Sequence, residues 1–370
     1  MHKMTQKDEY QRRVRQVRKQ LHGLNVQGLI VIGVENVRYL TGFRGHDSWA
    51  LVLPRQAVLL TDSRYTEQAQ GECVGCRIIE RKGPLAKEAE TVIAKQKGIT
   101  ALGIEDRCSV AMLKGIRKYL SAKIKPASGV VEKVRVVKTD DEVKLIRKAS
   151  RIAFDAMDYA LKQLKAGMTE RQLAAIYEYK LSEYDAVASF ETIAAFGPNG
   201  SRNHHQPGQR KLKKVDTILL DFGASYNGYC SDMTRCFAVG RVTPFFKKVY
   251  EAVAQSQQNA IEIIKAGVKG CDVDTVARDK IKQAGLPVYR HGLGHGLGLE
   301  VHEGPRLSNM DKKSSLKAGH VITVEPGVYM PGKLGVRLED DVLVTDTGAV
   351  VLSRDKRFDV KPERFPLLKV

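Results

Sequence analysis

A chain of 370 residues has room for two domains and for well-filled cores. Its 43% hydrophobic and 28% charged content is ordinary for a globular protein, and no apolar run is long enough to span a membrane. The net charge of +19 gathers at Arg12, Arg13, Arg15, Arg18 and Lys19 and again from Arg210 to Lys214, but aromatics are only 6%, too few to interleave these clusters with base-stacking rings. The basic residues therefore read as solvated surface with at most a weak attraction for polyanions, and no specific nucleic-acid partner is expected.

In chain order, Met1 to Met4 leads into charged sequence without the apolar core of a signal peptide, which predicts a cytoplasmic protein. Asp8 to His22 reads as a charged helix, and Leu29 to Ile32 as a buried strand. Trp49 to Leu53 and Ala57 to Thr61 form a hairpin-like pair around Pro54. Cys76 to Glu80 and Ala101 to Glu105 continue an α/β pattern, predicted to fill residues 1–130. Cys73 and Cys76 form a Cys-x-x-Cys pair with no second pair at zinc-finger spacing, so they read as reduced structural thiols.

A basic connector, residues 131–138, precedes a second domain at 139–370. Thr139 with Glu142 matches a capping box, which satisfies free amides at a helix start. Apolar residues from Val143 to Leu164 recur at helical spacing until Gly167, and Thr169 with Gln172 caps another helix. The second domain reads as duplicated. Lys165-Ala166-Gly167 returns as Lys265-Ala266-Gly267, and the strand-like stretch Leu212 to Gly223 returns as Leu316 to Gly327. Both stretches end in an acid, one residue and a glycine. A pseudo-twofold between the halves would bring Asp221 and Glu325 together.

Four acids stand beside strand signals: Asp221, Asp232, Glu325 and Glu339. Carboxylates buried together repel one another, and bridging divalent cations relieve that repulsion. Six of the nine histidines lie between His204 and His320. His295, in a glycine-rich run from His291 to Gly298, supplies a neutral nitrogen ligand where glycine permits close approach.

The ordered set Asp221, Asp232, His295, Glu325, Glu339, with the strings LLDFGA, SDMTR, GHGLGLEVHEGP, TVEPGVY and VRLEDD, resembles the dinuclear metallopeptidases of the methionine aminopeptidase, prolidase and Xaa-Pro aminopeptidase clan. Asn36 to Phe43 and Leu60 to Tyr65 are similar to the creatinase-type N-terminal domain, which favours the prolidase and Xaa-Pro aminopeptidase branch. The resemblance implies a mixed α/β chain with a creatinase-like N-terminal domain and a pita-bread catalytic domain. It further implies two divalent cations, Mn²⁺ before Co²⁺ or Zn²⁺, that acidify a shared water. Asp221 and Glu339 would bridge them, Asp232 would complete one shell, and His295 and Glu325 the other. Glu325 would also shuttle the proton. By the same resemblance His204 would stabilise the oxyanion, with the adjacent His205 leaving the register open. His302 would hold the substrate carbonyl, His291 would wall the proline side, and Arg337 would bind a carboxylate or orient Asp232 and Glu339.

The implied activity is removal of the residue in front of proline at a peptide N-terminus, as in an Xaa-Pro aminopeptidase working as a homodimer. The alternatives are a prolidase restricted to Xaa-Pro dipeptides and a non-catalytic binding protein that uses the basic surface.

Overall fold

The computed structural model describes residues 5–370, so the opening Met1 to Met4 lies outside the described residues. The chain divides into two compact units, one up to Arg135 and one from Val136 to Val370.

In the first unit, α1 (Gln6–Leu21) opens with a capping box between Thr5 and Asp8. Next come β1 (Leu29–Val31), α2 (Val34–Thr41), β2 (Trp49–Val52), β3 (Ala57–Thr61), α3 (Thr66–Glu72), β4 (Arg77–Glu80), α4 (Leu85–Ile93), β5 (Ala101–Ile104), α5 (Val110–Tyr119), β6 (Lys123–Pro126) and α6 (Glu132–Arg135). The strands form one mixed sheet in the order β4-β3-β2-β1-β5-β6. Every residue of β1, β2, β3 and β5 is buried, because helices cover the sheet. The stretch read as a connector is in part built into this unit. Residues 132–135 are helical, and buried Arg135 donates to Asn36 Oδ1 at 2.6 Å. All six cysteines are free thiols.

The second unit begins with α7 (Asp140–Lys162) and α8 (Glu170–Ser182), each opened by the expected capping box. There follow β7 (Ala186–Ala188), β8 (Ile193–Phe196), β9 (Asp216–Phe222), β10 (Ala224–Tyr226), β11 (Tyr229–Cys230) and β12 (Met233–Val239). The second half repeats the plan with α9 (Pro244–Ile263) and α10 (Gly270–Gln283). Then come β13 (Gly294–Gly296), β14 (Glu303–Leu307), β15 (Val321–Val324), β16 (Gly327–Met330), β17 (Leu334–Arg337), β18 (Asp340–Val344), β19 (Ala349–Val351) and β20 (Leu367–Leu368). The main sheets run β20-β12-β9-β8 and β14-β13-β15-β18-β19.

Matching backbone bonds express the repeat. Gly167 N–H donates to Leu212 at 2.9 Å, and Gly267 N–H donates to Leu316 at 2.9 Å. Both glycines adopt positive φ, +86° and +90°, where a side chain would be strained. Separate cores lie beneath the two helix pairs, one centred on Phe154, Phe196 and Phe222, the other on Phe246, Tyr250 and Leu338. Among the described residues no helix is long and apolar enough to cross a membrane.

Thr139 accepts from the Glu142 amide at the start of α7. Thr139→Ala should therefore lower stability by about 1 kcal/mol, seen as an earlier midpoint in urea unfolding followed by circular dichroism.

A carboxylate-rich candidate metal centre

Strand geometry brings the five acidic and histidine side chains to one place. In the β9–β12 ladder Asp221 lies directly opposite Thr234, and Asp232 stands one residue ahead of β12. Glu325 follows β15, while Glu339 precedes β18, the neighbour of β15. The Glu339 amide donates to Thr234 O at 3.1 Å, joining the halves beside the site. His295 is the middle residue of β13. A Cβ at Gly294 would stand 2.0 Å from Thr323 O, and one at Gly296 would stand 1.9 Å from Gly304 O. Only glycine on either side lets His295 sit this close to its neighbours.

Asp232, His295 and Glu339 each offer an atom to a group whose members lie within 4.8 Å of one another. His295 Nε2 is 3.6 Å from Asp232 and 3.7 Å from Glu325, too far for hydrogen bonds but close enough to share an ion. Its Nδ1 donates to Gly296 O at 3.1 Å, which turns the Nε2 lone pair toward the carboxylates. Asp221 Oδ1 is buried with no hydrogen-bond partner. Oxygen donors around one imidazole and an orphaned buried carboxylate oxygen are a set that fits hard divalent cations.

Electrostatics make the same point. Burial, then the charges of Glu339, Asp221 and Glu325, push the Asp232 carboxyl well above its usual range. Glu325 rises for the same reasons, burial before the charge of Glu339. Burial and Asp221 push Glu339 up to about 8. Burial lowers His295 and His291 to about 4, so both rings are neutral at ordinary pH.

A cavity of about 550 Å³ holds the group, and its wall contains every site residue expected from the sequence. His204 lines it and is exposed, whereas neighbouring His205 is buried against Glu170 at 2.8 Å. His302 is exposed, its ring 4.4 Å from that of His295. Arg337 is bonded within the protein. Its donors go to Asp221 Oδ2, Thr234 Oγ1 and Tyr329 Oη, so the guanidinium is spent on the protein and not on a substrate carboxylate. It orients Asp221 directly and Glu339 only through Thr234, which donates to Glu339 at 2.7 Å. Tyr329 hydrogen-bonds His291 Nε2 at 3.0 Å, and His291 Nδ1 donates to Gly292 O at 2.7 Å.

The chain matches Metallopeptidase family M24 over residues 144–346 and the Creatinase/Prolidase N-terminal domain over residues 13–137. It belongs to metallopeptidase family M24. An Xaa-Pro dipeptidase of Pyrococcus furiosus is 37% identical over 283 residues, 75% of this chain and 81% of that protein. The structure of an Xaa-Pro dipeptidase from Bacillus anthracis has a TM-score of 0.91 at 32% identity, covering 97% of this chain and 100% of that one. An X-Pro aminopeptidase structure from Thermotoga maritima has a TM-score of 0.86 at 32% identity, covering 95% and 100%. This M24 member is thus a peptide-hydrolysing enzyme of a divalent-metal family.

Sequence reasoning missed four residues of this candidate site. Thr234 links Glu339 to Arg337, and Tyr329 links Arg337 to His291. Asp341 accepts from the Asp232 amide at 3.3 Å. Arg306 lies opposite His295 in the β13–β14 ladder and lines the cavity. Period two along β12 makes Thr234 a same-face neighbour of Asp232, a signal available in the sequence.

Glu339 supplies a pH test. Its folded pKa, about 8, exceeds the ordinary 4.5, so the folded state holds the extra proton between these values. That contribution to stability is complete below 4.5 and is lost as pH rises through 8. After chelation, Tm should fall across this window, and Glu339→Gln should flatten the fall in a pH series of thermal melts.

Proposed function

We propose that the protein hydrolyses Xaa-Pro dipeptides, using two divalent cations held by Asp221, Asp232, His295, Glu325 and Glu339. The convergence of these five side chains from both halves on one cavity carries the reading. Asp221 and Glu339 would be shared between the two cations, Asp232 would complete the shell of one, and His295 with Glu325 that of the other. One imidazole among carboxylates favours Mn²⁺, ahead of Co²⁺ or Zn²⁺.

When bound, the cations supply an acidified water and polarise the scissile carbonyl. Glu325, in the cavity wall beside the attacking water, would take a proton from that water and pass it to the leaving proline nitrogen. His204 and His302, exposed in the cavity wall, donate to the carbonyl oxygen as it gains charge. His291 stays neutral and fixed by Tyr329, forming the wall on the proline side.

The sequence favours an aminopeptidase; Arg306 favours a dipeptidase. Residues directly opposite in an antiparallel ladder project to the same face, so Arg306, an exposed residue, stands beside His295. With Arg337 already committed, it is the arginine in the wall free to clamp the carboxylate of a dipeptide. The names of the Pyrococcus and Bacillus relatives agree with this choice. The Thermotoga neighbour keeps the aminopeptidase as the second reading.

Hydrolysis of an Xaa-Pro dipeptide and an Xaa-Pro-Xaa tripeptide, with and without Mn²⁺ after chelation, separates the readings. We expect Mn²⁺-dependent cleavage of the dipeptide alone. Cleavage of both is the aminopeptidase outcome, and no cleavage with nucleic acid retained is the binding-protein outcome. Glu325→Gln should lower kcat about a hundred- to ten-thousandfold while leaving the circular dichroism spectrum unchanged. Arg306→Ala should raise KM for the dipeptide about ten- to a hundredfold, the worth of a charged hydrogen bond.

A further inference from the structure

We propose that Lys138 is a positioning residue for the reaction: its buried ammonium, through Glu303, fixes the turn that aims His302 into the cavity. This rests on the reading above that His302 meets the substrate.

Lys138 Nζ lies 2.9 Å from Glu303 Oε2, with the two side chains only 1% and 4% exposed. The other oxygen of the same carboxylate accepts the Glu300 amide at 3.1 Å. Glu303 thus closes a four-residue turn from beneath, and the residues between its ends are Val301 and His302, both in the cavity wall. Lys138 is itself held in place. Its amide donates to Gly319 O at 2.8 Å, Val137 bridges His320, and Nζ donates to Val136 O at 3.3 Å. Gly298 keeps the space open, since a Cβ there would stand 2.8 Å from Glu303 Oε1 and 2.9 Å from Lys138 Cε.

His302 lacks a tether of its own. Among the described residues nothing hydrogen-bonds its ring, which meets only the face or edge of His295 at 4.4 Å. Its direction is therefore set by the backbone of the turn, and the turn is set by the ion pair. Stability alone is a poor account of such a pair. Burying two charges costs roughly what their attraction returns, and an apolar pair of equal volume commonly serves as well. What the ion pair adds is direction: an ammonium and a carboxylate meet in few geometries, whereas packed methyl groups slide.

The test is a double-mutant cycle on the full-length, Mn²⁺-loaded protein with an Xaa-Pro dipeptide. Lys138→Met with Glu303→Leu removes the pair without stranding a charge. We expect this variant to keep its metal content and Tm, to lose about ten- to a hundredfold in kcat, the scale of a small misplacement, and to leave KM within about twofold. Adding His302→Ala should lower kcat no further than His302→Ala alone, because both changes remove one function. Losses that multiply, or wild-type kcat in the folded pair-deletion variant, would overturn the proposal. Should that variant not fold, Glu303→Gln keeps the shape, weakens the pair and enters the same cycle with the same expected non-additivity. If His302→Ala itself leaves kcat untouched, the role given to His302 falls first. If it lowers kcat while the cycle is multiplicative, only the positioning role falls.

Discussion

Four carboxylates facing one cavity impose the constraint that organises the catalytic unit. Two like charges about 4 Å apart repel by roughly 4 kcal/mol at an effective dielectric of 20, and Asp221, Asp232, Glu325 and Glu339 present several such pairs. The protein offsets only part of this. Arg337 reaches Asp221, and Thr234 donates to Glu339. Arg235 lies on the opposite face of β12, paired with Asp340 at 2.7 Å, and so is kept for the back of the sheet. The remaining charge is left for protons or for cations brought from outside. That explains why burial and mutual repulsion raise the proton affinity of Asp232, Glu325 and Glu339 together.

The repeat explains how one chain concentrates so many acids without local conflict. Each half contributes a strand end that carries an acid, one further residue and then a glycine, and neither half alone holds the full set. The first half supplies Asp221 and Asp232; the second supplies His295, Glu325 and Glu339. A Cβ at Gly223 would stand 1.9 Å from Ser231 O, so the glycine after Asp221 is required by the closeness of the turn leading to Asp232. The bond from the Glu339 amide to Thr234 O then locks the halves in register where their acids meet. Burying this many polar groups is tolerable only because nearly every one is satisfied, and the orphaned Asp221 oxygen is the exception at the centre.

Much of this was legible in the sequence, for reasons that differ along the chain. The capping boxes at Thr139 and Thr169 are local, so three residues are enough to declare them. Asp221 and Glu325 stood out because they close apolar strands. Edges and connections were harder to read. β6 is basic, ends in proline and pairs with β5, so its strand character comes from its neighbour. Residues 132–135 look like a connector until Arg135 is seen to reach Asn36 across the first unit. The two adjacent histidines could not be told apart locally, since Glu170, at the start of α8, selects His205 for the interior. Arg306 was hidden for a similar reason. Its place opposite His295 is a matter of strand register, which includes a bulge between His295 and Gly296.

The cavity wall also divides into fixed and free parts, and the division suits the chemistry. Asp221, Arg337, Tyr329, His291 and Glu339 form one hydrogen-bonded group, with Thr234 at its junction. Such a network costs little reorganisation when charge develops beside it. His204, His302 and Arg306 are exposed instead, and the groups they would grip belong to a substrate that must enter and leave. A side chain of this kind needs direction without being sealed in. Arg306 obtains it from the β13–β14 ladder and His302 from the turn above Lys138 and Glu303. Precision in the exposed part is thus borrowed from buried polar contacts one layer beneath it.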